Sequence, residues 1–64
     1  MKNKFINIDS EILSGIPVFS GTRVLIYILF DYIEGGETLN SFFENYPSIS
    51  KDHAIEVLKL AENL

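Results

Sequence analysis

One imidazole, one guanidinium and no thiol limit the chemistry open to this chain. His53 is the only histidine, Arg23 the only arginine, and cysteine is absent. A general base needs an orienting partner and a substrate cleft. His53 falls in the first turn of an expected helix, beside Asp52 and Glu56. Such a position reads as solvated, with a phosphate or partner contact as the functional alternative. The acids Asp9, Glu11, Asp31, Glu34, Glu37, Glu44, Asp52, Glu56 and Glu62 are scattered, and no spacing suggests a dyad or a metal cage. One histidine without cysteine leaves no conventional zinc set. There is no GxGxxG and no GxxxxGK[ST], so no phosphate loop. The reading is of a binding module, not an enzyme, with no cofactor, no metal and no small-molecule substrate. Arg23 stands out among the basic residues because its fork can tie a carboxylate or several carbonyls. It reads either as a structural tie, with Asp31 as a buried partner, or as a contact for another chain. Asp31 reads equally as a simple edge position.

Size and charge narrow the class further. The chain has 64 residues and a formal net charge of −4, with five basic residues against nine acidic. That is one domain, 1–64, and a small one that buries only about 60% of the surface its unfolded chain exposes. Without disulfide or metal, oligomerisation is the remaining staple. The acidic balance argues against a generic nucleic-acid binder, whose affinity comes from Lys and Arg facing phosphates. The N-terminus carries two lysines but no long apolar core, so it is not a signal peptide. No apolar run approaches the roughly 18 residues of a membrane span. The expected setting is soluble and cytoplasmic.

The elements follow from pattern. Residues 1–24 read as short strands and turns, and 25–64 as three helices. Phe5 to Ile8 reads as a strand. Asp9 and Ser10 begin a turn anchored by Ile12 and Leu13 and ended by Ser14-Gly15. Pro17 to Phe19 is a second extended piece, and Ser20-Gly21-Thr22 a turn that returns Arg23 to Leu25 as its partner strand. Val24 to Phe30 is an unbroken apolar run. It predicts a first helix from about Leu25 to Glu34, stopped by Gly35-Gly36. A helix apolar on most sides must be buried on most sides. Leu25, Ile26, Leu29, Phe30 and Ile33 are therefore the expected surface for self-association, as a homodimer. Thr38 caps a second helix with Leu39, Phe42, Phe43 and Tyr46 on one stripe, and Pro47 ends it. Ser50 caps a third, with Ile49 and Ala54 as a hydrophobic staple. Its inner face is Ala54, Val57, Leu58, Ala61 and Leu64. The last two helices make a helix-turn-helix candidate. Were the third to read DNA, Lys51, His53 and Lys59 would face it, with Lys2 and Lys4 as an N-terminal arm. That face alternates in sign, with Glu56 within reach of Lys59.

The pattern Gly15-x-Pro17-Val18-x-x-Gly21-Thr22-Arg23-Val24, then an apolar helix, Gly36 and Tyr46-Pro47-x-Ile49-Ser50 resembles the domain-of-unknown-function family four hundred and thirty-three. The resemblance covers about Ile8 to Ala61. It implies a mainly α fold, a short β-element followed by a three-helix, homeodomain-like helix-turn-helix bundle. It also implies an antitoxin-like protein of a type II toxin–antitoxin pair. Such a protein neutralises a PIN-like ribonuclease toxin and represses its own operon through operator DNA. Gly15, Pro17, Gly21, Thr22 and Arg23 would be motif scaffold or partner contact. The alternative is a dimeric protein-interaction module without DNA binding. Family members often carry a basic residue where this chain has Ile16 and Ser20, and proline where it has Leu25. The first two differences favour a protein partner at this edge.

Overall fold

The computed structural model describes residues 3–62. The element order is β1 (Ile6–Asn7), a 3-10 turn (Leu13–Gly15), β2 (Val18–Phe19), α1 (Ile26–Glu34), α2 (Leu39–Asn45) and α3 (Lys51–Glu62). The architecture is the expected mainly helical one, a two-stranded antiparallel element ahead of three helices. Among the described residues, no helix is long and apolar enough to cross a membrane.

The strand pairing departs from the expected hairpin. β2 pairs with β1, Ile6 opposite Phe19 and Asn7 opposite Val18. The return segment contributes only a single bridge, Val18 to Leu25. Strand pairing therefore joins distant pieces of chain. The turn between Phe19 and Thr22 closes through the Thr22 N–H on the Phe19 carbonyl, at 3.0 Å. Its third residue is Gly21 at φ +80°, the sign that a type II turn requires and that a side chain opposes. Thr22 stitches the turn further. Its Oγ1 donates to the Phe19 carbonyl at 2.8 Å and accepts from the Val24 N–H at 3.0 Å.

α1 starts without a side-chain cap. Instead the Ile26 N–H donates to the Pro17 carbonyl at 3.0 Å, so the β-element satisfies a helix-end donor that would otherwise lack a partner. Its end is a Schellman motif. Gly36 sits at φ +77°, its N–H reaches the Ile33 carbonyl, and the Glu37 N–H reaches the Tyr32 carbonyl at 2.9 Å. Thr38 Oγ1 caps α2 through the Ser41 N–H at 3.1 Å. Ser50 Oγ caps α3 through the His53 N–H at 3.1 Å. Asp52 lies in that first turn, where the helix dipole favours an anion.

One core joins all layers: Phe19, Ile26, Leu29, Phe42, Ile49, Ala54 and Val57. Phe42 is its aromatic centre, tilted on Phe19 and Tyr46 and edge-on to Tyr32, at centroid distances of 6.0, 5.2 and 5.5 Å. The stripes expected on α2 and α3 are the ones buried, and both members of the Ile49–Ala54 staple are in the core. Leu64, expected on the inner face, lies outside the described residues.

α1 corrects its reading. Ile26 and Leu29 belong to the protein's own core and are not free for a second chain. Leu25 and Phe30 are half-buried, and Ile33 alone of the five expected dimer residues is exposed, at 44%. Tyr27, Asp31 and Glu34, spaced i, i+4, i+7, are all exposed and give the helix a solvated side. Burial alone therefore does not demand a partner for α1. Leu13 is no anchor either. It is 42% exposed, at φ +49°, with Ser14 at +59° beside it.

Candidate functional site

Two concave regions gather the residues that the chemistry singled out. The first is a cleft of about 610 Å³ whose lining includes Lys4, Asp52, His53, Glu56 and Lys59. It unites three of the expected DNA contacts, but each is engaged or offset. Lys59 Nζ pairs with Glu56 at 3.4 Å. Lys4 Nζ lies 5.6 Å from the centre of the Phe5 ring. Two carboxylates face two ammonium groups, so the cleft presents no electropositive surface. Lys51 is exposed at the start of α3, and Lys2 lies outside the described residues.

His53 is not the solvated helix-start residue its position suggested. It is half-buried. Its Nε2 lies 2.8 Å from the Phe5 carbonyl oxygen, and since a carbonyl only accepts, Nε2 carries the hydrogen and donates. The ring stands edge-on to Phe19 at 5.2 Å and tilted to Phe5 at 5.9 Å. It thus locks α3 to the strand region, joining residues 48 positions apart. No pattern local to α3 announces this, because the partner is a backbone carbonyl in another element.

The second region is an open groove of about 990 Å³. It lies beside the Gly21-Thr22-Arg23 turn and on the sheet face where Asn7 and Leu25 flank Val18. Ile12, Leu13, Val24, Leu25 and Ile28 give it an apolar lining, with Tyr46 and Ser48 contributed from the turn after α2. Arg23 is exposed and forms no hydrogen bond or ion pair among the described residues. The expected tie to Asp31 is absent, since Asp31 is exposed and likewise unpaired there. The side chains of Asn7, Tyr46 and Ser48 also lack hydrogen-bond partners among the described residues. An apolar concavity with a few unengaged polar groups is the usual form of a binding site.

The motif residues divide in role. Pro17 and Thr22 hold the turn and α1 by hydrogen bonds, Gly21 supplies the backbone shape, and Gly15 closes the left-handed turn at φ +83°. Arg23 makes no hydrogen bond or ion pair among the described residues. Leu13 deepens the contrast. A left-handed leucine costs roughly 1–2 kcal/mol, and here it leaves an apolar side chain exposed on the groove wall. Strain of this kind collects at functional positions. Its sequence signal, Leu-Ser-Gly, shows only the glycine.

A short β-element region whose backbone bonds α1 and α3, ahead of three helices of which the last two are joined through a short turn, makes a small, mainly helical domain. The chain belongs to the family described as Protein of unknown function (DUF433), whose match spans residues 6–61. No curated protein and no solved structure matches it.

Proposed function

We propose that this is an antitoxin-like binding protein of a type II toxin–antitoxin pair, which neutralises a PIN-like ribonuclease by covering it. The family membership and the resemblance it carries support the toxin–antitoxin setting. The observation that supports protein binding as the activity is Arg23. It is a guanidinium with no partner among the described residues, at the rim of an apolar groove, on a turn that Thr22 and Gly21 hold without it. Catalysis has no support from the same groups, because the single imidazole is committed to a backbone carbonyl.

Repression of its own operon has less support. Along α3, exposed Lys51, Asp52, Lys59 and Glu62 and half-buried Glu56 mix both signs, which offers phosphates little net attraction. Self-association belongs to the reading in a narrower form, through Ile33, 44% exposed. A cytoplasmic setting accompanies this reading, as for any partner of an intracellular ribonuclease.

The test is co-expression with the reading frame directly downstream. Co-purification and suppressed ribonuclease activity are expected, and a neighbour that neither binds nor is inhibited overturns the reading. A gel shift on the chain's own promoter decides the second role: binding that falls steeply with salt would reinstate it.

A further inference from the structure

The segment after the Gly21-Thr22-Arg23 turn is an open sheet edge. Val24 and Ile26 direct backbone groups toward β2: the Val24 carbonyl accepts the Phe19 N–H at 2.9 Å, and the Ile26 N–H donates to the Pro17 carbonyl at 3.0 Å. Leu25, bridged opposite Val18, directs its own to the opposite side, and carrying that two-residue alternation back along the chain puts the Arg23 groups on the same side as well. The Leu25 carbonyl accepts from the Ile28 N–H at 3.2 Å. The Arg23 N–H, the Arg23 carbonyl and the Leu25 N–H have no partner among the described residues. A row of unpaired peptide groups is a template for a further strand. Here it borders the apolar groove and carries the groove's only charged side chain, with no carboxylate in the lining.

We propose that this edge captures an extended, acidic-apolar segment of the partner protein by strand addition. The partner's backbone pairs with Arg23 and Leu25, one of its carboxylates meets the Arg23 guanidinium, and an apolar side chain enters beside Ile12, Leu13 and Ile28. Main-chain bonds supply affinity and the alternating side chains supply selection. The idea rests on the protein-binding reading above and names the chemistry of what is bound. It also assigns a use to the residue at 25. Leu25 has φ −70° and ψ 134°, values that proline would adopt, but proline would delete the outward donor.

The probe is a capped peptide, Asp-Thr-Leu-Thr-Glu-Thr-Asp, whose acids and leucine share one strand face, titrated into the nitrogen-15-labelled full chain. A counterpart with lysine at the three acidic positions is the control. The expected result is shift changes and slowed hydrogen exchange at the Arg23 and Leu25 amides. Affinity should fall about tenfold or more for the lysine peptide, for Arg23→Gln and in high salt. Leu25→Pro should weaken binding without altering the charge, and because Arg23→Gln changes only an exposed side chain, the test survives even if the proline variant misfolds. Absence of binding at millimolar peptide, equal affinity for the lysine peptide, or shifts centred elsewhere overturns the proposal. Shifts at Arg23 and Leu25 that change on dilution without peptide assign the edge to a second copy and overturn it too. In complex with the downstream product, exchange at these two amides as fast as in the free chain refutes strand addition while leaving the antitoxin reading intact. Failure of that complex to form refutes the antitoxin reading, and the peptide titration still decides the edge.

Discussion

His53 and Arg23 line different concavities of the same small domain and are used in opposite ways. The imidazole has a carbonyl 2.8 Å from Nε2 and an aromatic ring on each of two sides. The guanidinium has no hydrogen bond or ion pair among the described residues and an apolar groove beside it. Side-chain type alone suggests the reverse assignment, an arginine as a structural tie and a helix-start histidine in water. A polar side chain whose hydrogen-bonding capacity is used internally belongs to the fold. One that stays unused over an apolar surface is available for recognition.

The sharpest way to break the comparison is to remove the ring that His53 leans on. Phe19 is fully buried and packs against both His53 and Phe42. Phe19→Ala should cost about 3–5 kcal/mol, enough to unfold a domain of this size at room temperature. Circular dichroism and urea melts read this directly, and a folded, cooperative variant would remove Phe19 from the centre of the argument. His53→Ala is expected next, at about 1–3 kcal/mol, because it removes one of the two donors on the Phe5 carbonyl, the Ser20 N–H remaining, and opens a gap beside Phe19. Amide exchange should rise around β1 in that variant. A loss below about 0.5 kcal/mol would make His53 an ordinary surface residue.

How much of this was legible before the structure depends on how local the physics is. Helix ends were readable because caps act within a few residues: Thr38, Ser50 and Gly36 do what their types suggest. The stripes of α2 and α3 were readable because 3.6-residue periodicity records which face is buried. Three things were not. The partner of β2 is β1, some twelve residues earlier, and alternation in short strands does not encode pairing. The apolar run in α1 looked unsided, but Tyr27 tolerates exposure at its hydroxyl end and joins Asp31 and Glu34 on a wet face. The unbonded edge at Arg23 and Leu25 depends on which carbonyls the neighbouring strand uses, and that is a tertiary fact.

A smaller effect separates scaffold from contact inside one turn. Thr22→Val keeps the shape of the side chain and deletes the hydroxyl that bonds both Phe19 and Val24. Two modest bonds should cost about 1–2 kcal/mol together. Partner affinity should fall as well, since the edge at Arg23 follows directly from that turn. The measurement is a paired one, a melt and a pull-down on the same variant.

Arg23→Gln should do almost nothing to the same melt, within about ±0.5 kcal/mol, because the side chain is exposed and no described residue depends on it. It should weaken partner capture, and an Arg23→Lys variant should recover only part of the loss, since an ammonium keeps the charge but not the planar fork. The pair Thr22→Val and Arg23→Gln therefore separates stability from binding at adjacent positions. If Arg23→Gln destabilised the fold as much as Thr22→Val, the guanidinium would be part of the scaffold and the contrast with His53 would vanish. If Lys restored capture fully, charge alone would account for it, and a specific carboxylate contact at the groove rim would have to be given up.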